Sequence, residues 1–367
     1  MLVFTACTDT SQVAEETPGT TPSTAPITSP GGTRSIRTTT TTITLDPAPT
    51  TSTTTGTTSP VAEPIPVDEL EVVAFPVPSG SRPHDVAPAV DGGVWYTAQG
   101  SGDLGWLNPA SGETRHIDLG AGSRPHGVIV DGNGVAWITD GGRNSIISFD
   151  PDTDEVTEFA LPDERANANL NTAAFDGSGE LWFTGQNGVL GVLDPATGEI
   201  EVFDSPRGPG PYGIAATPLG TIYFASLAGS YVGLVGDDGS ITVLEPPTPA
   251  QGARRVWSDS HGAIWVSEWN SGQLSRYDPN TETWETWSLP GAAPQAYAVY
   301  VDDSDIVWVS DFGGNAIHRF DSESDSFHTF ELPNNPSNVR QILGRPGEVW
   351  GAESAADTLV VIRRISG

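Results

Sequence analysis

Two short stretches of this 367-residue chain carry the same turn: "GSRPHDV", residues 80–86, and "GSRPHGV", residues 122–128, with His84 and His126 42 residues apart. Imidazoles titrate near neutral pH, so two held together can serve as base and orienter in proton transfer, or as metal ligands. The same turn can also be purely structural, with each ring bonded to backbone in its own repeat. Carboxylates recur three residues after an aromatic anchor, at Asp140, Glu268, Asp311 and Glu353. Gathered in one funnel they would hold Mg²⁺ or Ca²⁺; otherwise each caps its own turn. A third group, Arg254, Arg255, Trp257 and Trp269 with Tyr212 and Tyr297, concentrates cationic and aromatic character and suits an anionic or aromatic ligand. The isolated His116, His261, His318 and His328 fall in outer strands or turns and are expected at the surface.

These residues sit on a repeat. The anchors Trp95, Trp137, Trp182, Tyr223, Trp265, Trp308 and Trp350 are spaced by 42, 45, 41, 42, 43 and 42 residues. A period of this size, with several short strands per unit, marks a propeller. Residues 126–162 show the strand count: "HGVIVDG", "VAWITD", "SIISFDP" and "EVTEFALP" read as four strands bounded by Asp-Gly, Asp-Pro and Pro breaks. A fourth strand follows each of the first six repeats but not the seventh, whereas "LEVVAFPVP", residues 70–78, precedes the first. The prediction is an all-β, seven-bladed β-propeller of four-stranded blades, with the N-terminal strand closing the last blade and no open sheet edge at the seam.

The innermost strand of each blade begins near the axis. Eleven residues before each anchor stand His84, His126, Asn171, Tyr212, Arg254, Tyr297 and Val339, with Arg340 taking the last place if the seventh repeat is offset. Most are polar and they differ from blade to blade, as a ligand site built on a ring would. A small-molecule or peptide-like ligand in this funnel is therefore expected, with Asn171, Tyr212, Arg254 and Tyr297 on the substrate.

Composition bounds the rest. The chain has 16 Lys+Arg against 47 Asp+Glu, a formal charge of -31, which excludes the basic face a nucleic-acid binder needs. The single cysteine, Cys7, follows Phe4-Thr5-Ala6 in a pattern similar to the lipobox of bacterial lipoproteins. Residues 1–7 read as the remnant of a lipoprotein signal peptide, and 8–68 as a disordered Thr/Ser/Pro-rich linker to a propeller over 69–367. This places a monomer outside the cell or on its surface, touching the membrane only through a lipid on Cys7.

The run "PHGVIVDGNGVAWITD" resembles the repeats of the streptogramin B lyases, also called virginiamycin B lyases, and "GPYGIAAT" and "GAIWVSEWNSGQLSRYD" look like further copies. The resemblance spans about residues 70–364. It implies a magnesium-dependent elimination that opens a cyclic depsipeptide: a base removes an α-proton, a cation stabilises the enolate, and the ester carboxylate leaves. In the last blades the family's histidine turns are replaced by Arg254-Arg255 and Gln295-Ala296-Tyr297. Rotated round the ring, the pattern assigns His84 to the substrate, His126 to the base and Asp140 to the metal, with Arg124 in place of a ligating acid. Two other readings compete: a surface-tethered binding propeller without turnover, and a lactonase-like hydrolase using Ca²⁺.

Overall fold

The computed structural model describes residues 61–236 and 238–365; Cys7 and residues 8–60 of the expected linker lie outside them. The described chain forms seven four-stranded antiparallel sheets. In six of them the strands run outward in chain order, as in Pro83–Pro88, Val94–Ala98, Asp103–Leu107 and Thr114–Asp118. The seventh takes Val339–Arg345, Glu348–Glu353 and Thr358–Arg364 from the C-terminus and Leu70–Pro76 from the N-terminus. That closing strand pairs from Leu70↔Arg364 to Pro76↔Thr358, as the sequence predicts. Second strands such as Val94–Ala98 are buried throughout, because neighbouring blades cover both faces, whereas outer strands such as Glu155–Ala160 alternate toward solvent.

Within residues 61–68, which composition assigns to the linker, the chain already bonds to the propeller. The Ala62 N–H donates to the Asp303 carbonyl at 3.0 Å, Val67–Glu69 makes one 3-10 turn, and the Ile365 N–H donates to the Glu69 carbonyl at 2.8 Å. Val67 and Leu70 pack on the core, an apolar pattern that the surrounding Pro and Glu hide in composition.

The anchors are fixed by the turn six residues upstream. Asp131, Asp176, Asp259 and Asp302 each accept the indole N–H of Trp137, Trp182, Trp265 and Trp308 at 2.8–3.1 Å. The other carboxylate oxygen of Asp131 accepts the N–H groups of Asn133 and Val135, holding the hairpin turn. One aspartate thereby ties turn, anchor and strand together.

Candidate functional site

In every blade the inner strand carries one extra residue against its neighbour just after its first position, for example between Pro83↔Ala98 and Val86↔Tyr96. Such a bulge breaks the alternation of side chains, so two consecutive residues can both face the axis. The first of each pair is His84, His126, Asn171, Tyr212, Arg254 or Tyr297, as counted from the anchors. In the seventh blade it is Arg340: Leu343 pairs Trp350 across a hairpin one residue shorter than that joining Ala87 to Trp95. Val339 lies in the core.

The bulges are stapled between blades. Thr97, Thr139, Thr184, Ser267 and Ser310 accept the bulge N–H of their own blade and donate to a carbonyl of the next, those of His126, Asn171, Tyr212, Tyr297 and Val339. The hydroxyls thus position the mouth residues directly.

The second residue of each bulge forms a deeper layer: Asp85, Gly127, Thr172, Gly213, Arg255, Ala298 and Gln341. Large and small alternate because there is no room for more. A Cβ at Gly213 would stand 2.6 Å from the Arg255 Cα, and one at Gly127 2.7 Å from the Asn171 carbonyl oxygen. Through this space Arg255 of the fifth blade crosses to Asp85 of the first, with Nη2 2.9 Å from Oδ1 and Nη1 3.2 Å from Oδ2; Nη1 also reaches the Thr172 hydroxyl at 3.2 Å. This ion pair bridges the channel at this layer.

Asp85 also meets His84, Oδ1 to Nδ1 at 2.8 Å. With the carboxylate ionised, His84 carries its proton on Nδ1 and keeps a basic Nε2. The His126 ring lies 3.7 Å from that of His84, tilted 47°, and its Nδ1 is buried without a partner. Burial pushes both imidazoles well below their ordinary value. Arg340, Arg255 and Arg254 add to this at His84, and His84 itself at His126. Both rings are therefore neutral at physiological pH. Burial raises the Asp85 carboxyl while Arg255 opposes it; the bidentate pairing keeps it ionised.

Beside the histidines lies a tyrosine–arginine cluster. The Tyr212 and Tyr297 hydroxyls are 2.5 Å apart; Arg254 Nη2 donates to Tyr212 at 3.1 Å and Arg340 Nη1 to Tyr297 at 3.2 Å. The Arg254 guanidinium lies 3.5 Å from the Tyr297 ring centre and Phe312 stacks on that ring at 4.5 Å, so the two occupy opposite faces. Trp269 closes the cage 4.6 Å from the same guanidinium. Burial would raise the Tyr297 phenol, but Arg254, Arg340 and Arg255 outweigh it and bring it down to about 8; burial holds Tyr212 above its usual value.

His84, His126, Tyr212, Arg254 and Tyr297 thus come together at one mouth. Asn171 is buried at its own bulge, bonded to Thr172, with its amide nitrogen unpartnered. The structure does not bring Asp140 to the histidines: its oxygens accept from the Ser123 hydroxyl and the N–H groups of Arg124, Gly142 and Arg143. Glu268, Asp311 and Glu353 are likewise held locally, by Ser271 and Ser275, by Gln295 N–H, and by Asn334. His318 is buried against Asp311 and Thr329, not at the surface. Arg82 and Arg124 are exposed, and the cations around the imidazoles are Arg254, Arg255 and Arg340 instead.

The ligand-type atoms of His84, Asp85 and His126 lie within 4.8 Å of one another. Magnesium and calcium demand several oxygen ligands. Here the one carboxylate is already paired with Arg255, the other donors are nitrogens, and three guanidiniums surround them. This donor set does not fit either ion.

The propeller has known counterparts. A streptogramin B lyase structure superimposes with a TM-score of 0.74 at 20% identity, covering 81% of this chain and 98% of that one. A catalytically inactive variant of the virginiamycin B lyase from Staphylococcus aureus, solved with quinupristin, gives 0.75 at 19% identity, with 81% and 100% covered. At these identities the likeness is one of fold. No curated protein matches the chain in sequence. From the closing strand through the last blade, residues 71–362, the sequence matches the model of the virginiamycin B lyase family, and the chain belongs to that family.

Proposed function

We propose that the chain is an exported carbon–oxygen lyase acting on a peptide-like ester, with His84 as the base. The observation that carries this reading is the 2.8 Å contact between Asp85 and His84 Nδ1, which fixes the tautomer and leaves Nε2 free. His126, which the family resemblance made the base, has no such orienting partner; it lies between His84 and Tyr212 and suits substrate contact. In the reaction Nε2 takes the proton α to a carbonyl, the electron pair forms a carbon–carbon double bond, and the β carbon–oxygen bond breaks to release a carboxylate. Tyr212, kept protonated by burial and backed by Arg254, supplies a hydrogen bond to the developing enolate oxygen. The positive potential of the guanidiniums stands where a metal would otherwise be required. Lipid attachment at Cys7 would hold the monomer at the cell surface.

Mass spectrometry of a cyclic depsipeptide incubated with the protein tests this. Elimination gives a linear product of unchanged mass, whereas hydrolysis adds one water. His84→Gln should lower the rate by about 100-fold or more, in the range a general base contributes, and EDTA should leave the rate alone. Product heavier by one water would favour the hydrolase reading. No product at all would favour the binding propeller.

A further inference from the structure

Arg254 and Arg340 face the mouth, and among the described residues no carboxylate pairs with either. Their bonds go to hydroxyls, those of Tyr212, Tyr297 and Ser354, and the Arg254 Nε is buried with no partner. The acids paired across the same hairpins, Glu268 opposite Ala253 and Glu353 opposite Val339, are bonded to Ser271 and Ser275 and to Asn334 instead. Aromatic faces stabilise a guanidinium without neutralising it, and taking two like charges out of water without a counter-ion is costly. The mouth is nonetheless reachable, since Arg254, Arg340, Trp269 and Phe312 are only partly buried. The fork of a guanidinium matches that of a carboxylate.

We propose that Arg254 and Arg340 form an anion site that takes the carboxylate of a peptide-like ligand, with the ligand's apolar side chain against Trp269 and Phe312. This rests on the same mouth as the proposed reaction and narrows its substrate to an ester that also carries a free carboxylate. An anion placed there offsets the guanidiniums' hold on Tyr297, so its phenol should then ionise at higher pH.

Calorimetric titration of the full chain with N-acetylphenylalanine and with N-acetylphenylalaninamide tests the site. The carboxylate should bind about 10-fold or more tightly than the amide, the scale of one lost charge-assisted hydrogen bond, and added salt should weaken it. Arg340→Gln should lose a similar factor, and Arg340→Lys less. In ultraviolet titration the carboxylate should move the tyrosinate transition upward, a transition that Tyr297→Phe lacks. Equal binding of acid and amide by the unmodified protein overturns the site without needing any variant. So does unchanged affinity in a folded Arg340→Gln, or inorganic phosphate binding as tightly as the amino acid, since the aromatic wall would then contribute nothing. Carboxylate binding retained by His84→Gln, or by a protein that eliminates no ester, upholds the anion site while the lyase reading fails alone.

Discussion

Burial of His84 and His126 as neutral imidazoles sets the direction in which these two groups make stability depend on pH. His84 and His126 sit below their ordinary value in the folded state, chiefly through burial, whereas in the unfolded chain they titrate at about 6.5. Above that pH neither state is protonated and the pair contributes no slope. Below it the unfolded chain binds protons the folded one refuses, so stability falls as pH falls, until the depressed folded values are reached. Between pH 8 and 5 the urea midpoint of the wild type should fall relative to that of His84→Gln/His126→Gln; parallel curves would refute the assignment. Six mouth residues could be found by counting back from the anchors. Asp85 could not, although the signal was present: it is the one difference between "GSRPHDV" and "GSRPHGV". Strand alternation would point Asp85 away from the channel, and only the bulge turns it inward beside His84. Arg340 was displaced in the count by the shortened hairpin. Asp140 bonds within its own turn, and a carboxylate near an axis and one capping a turn have the same spacing.

The hydroxyl two residues past the anchor is the element-scale counterpart of the mouth. It is visible as Thr97, Thr139, Thr184, Ser267 and Ser310, with Ala225 and Ala352 in the other two blades. Its use is tertiary, since one partner belongs to the neighbouring blade, and the linear pattern therefore conceals it. Thr139→Val keeps shape and removes both bonds, leaving the Gly127 N–H and the Asn171 carbonyl buried without this partner. The expected cost is roughly 1–3 kcal/mol, read as a lower melting temperature, with looser ligand binding because His126 and Asn171 flank the break. An unchanged melting temperature would mean that the bulges are held by packing alone. The strands themselves were legible throughout, because period, turn residues and apolar cores agreed with one another.

At the scale of the molecule the channel has two unlike ends separated by the Arg255–Asp85 bridge. All 16 basic residues are arginine, and three of them converge on the polar mouth of a strongly acidic chain. The opposite end is an apolar cavity of about 510 Å³ lined by residues such as Ala87, Val130, Phe175, Trp257, Tyr300 and Leu343. That cavity has one cation in its lining, Arg345, against the three guanidiniums at the mouth. That mouth includes the seam of the ring, where the Val86 N–H of the first blade donates to the Gln341 side chain of the seventh at 3.0 Å. The seam depends on Leu70–Pro76, whose Phe75 packs 5.5 Å from Trp350. A chain beginning at residue 77 loses that ladder and leaves Thr358–Arg364 as an unpaired edge. It should melt at a lower temperature, self-associate through the exposed edge in light scattering, and lose binding at the mouth because Arg340 and Gln341 lie in the opened blade. A truncated chain that stays monomeric, melts like the full chain and still binds N-acetylphenylalanine would show that the ring does not need its closing strand.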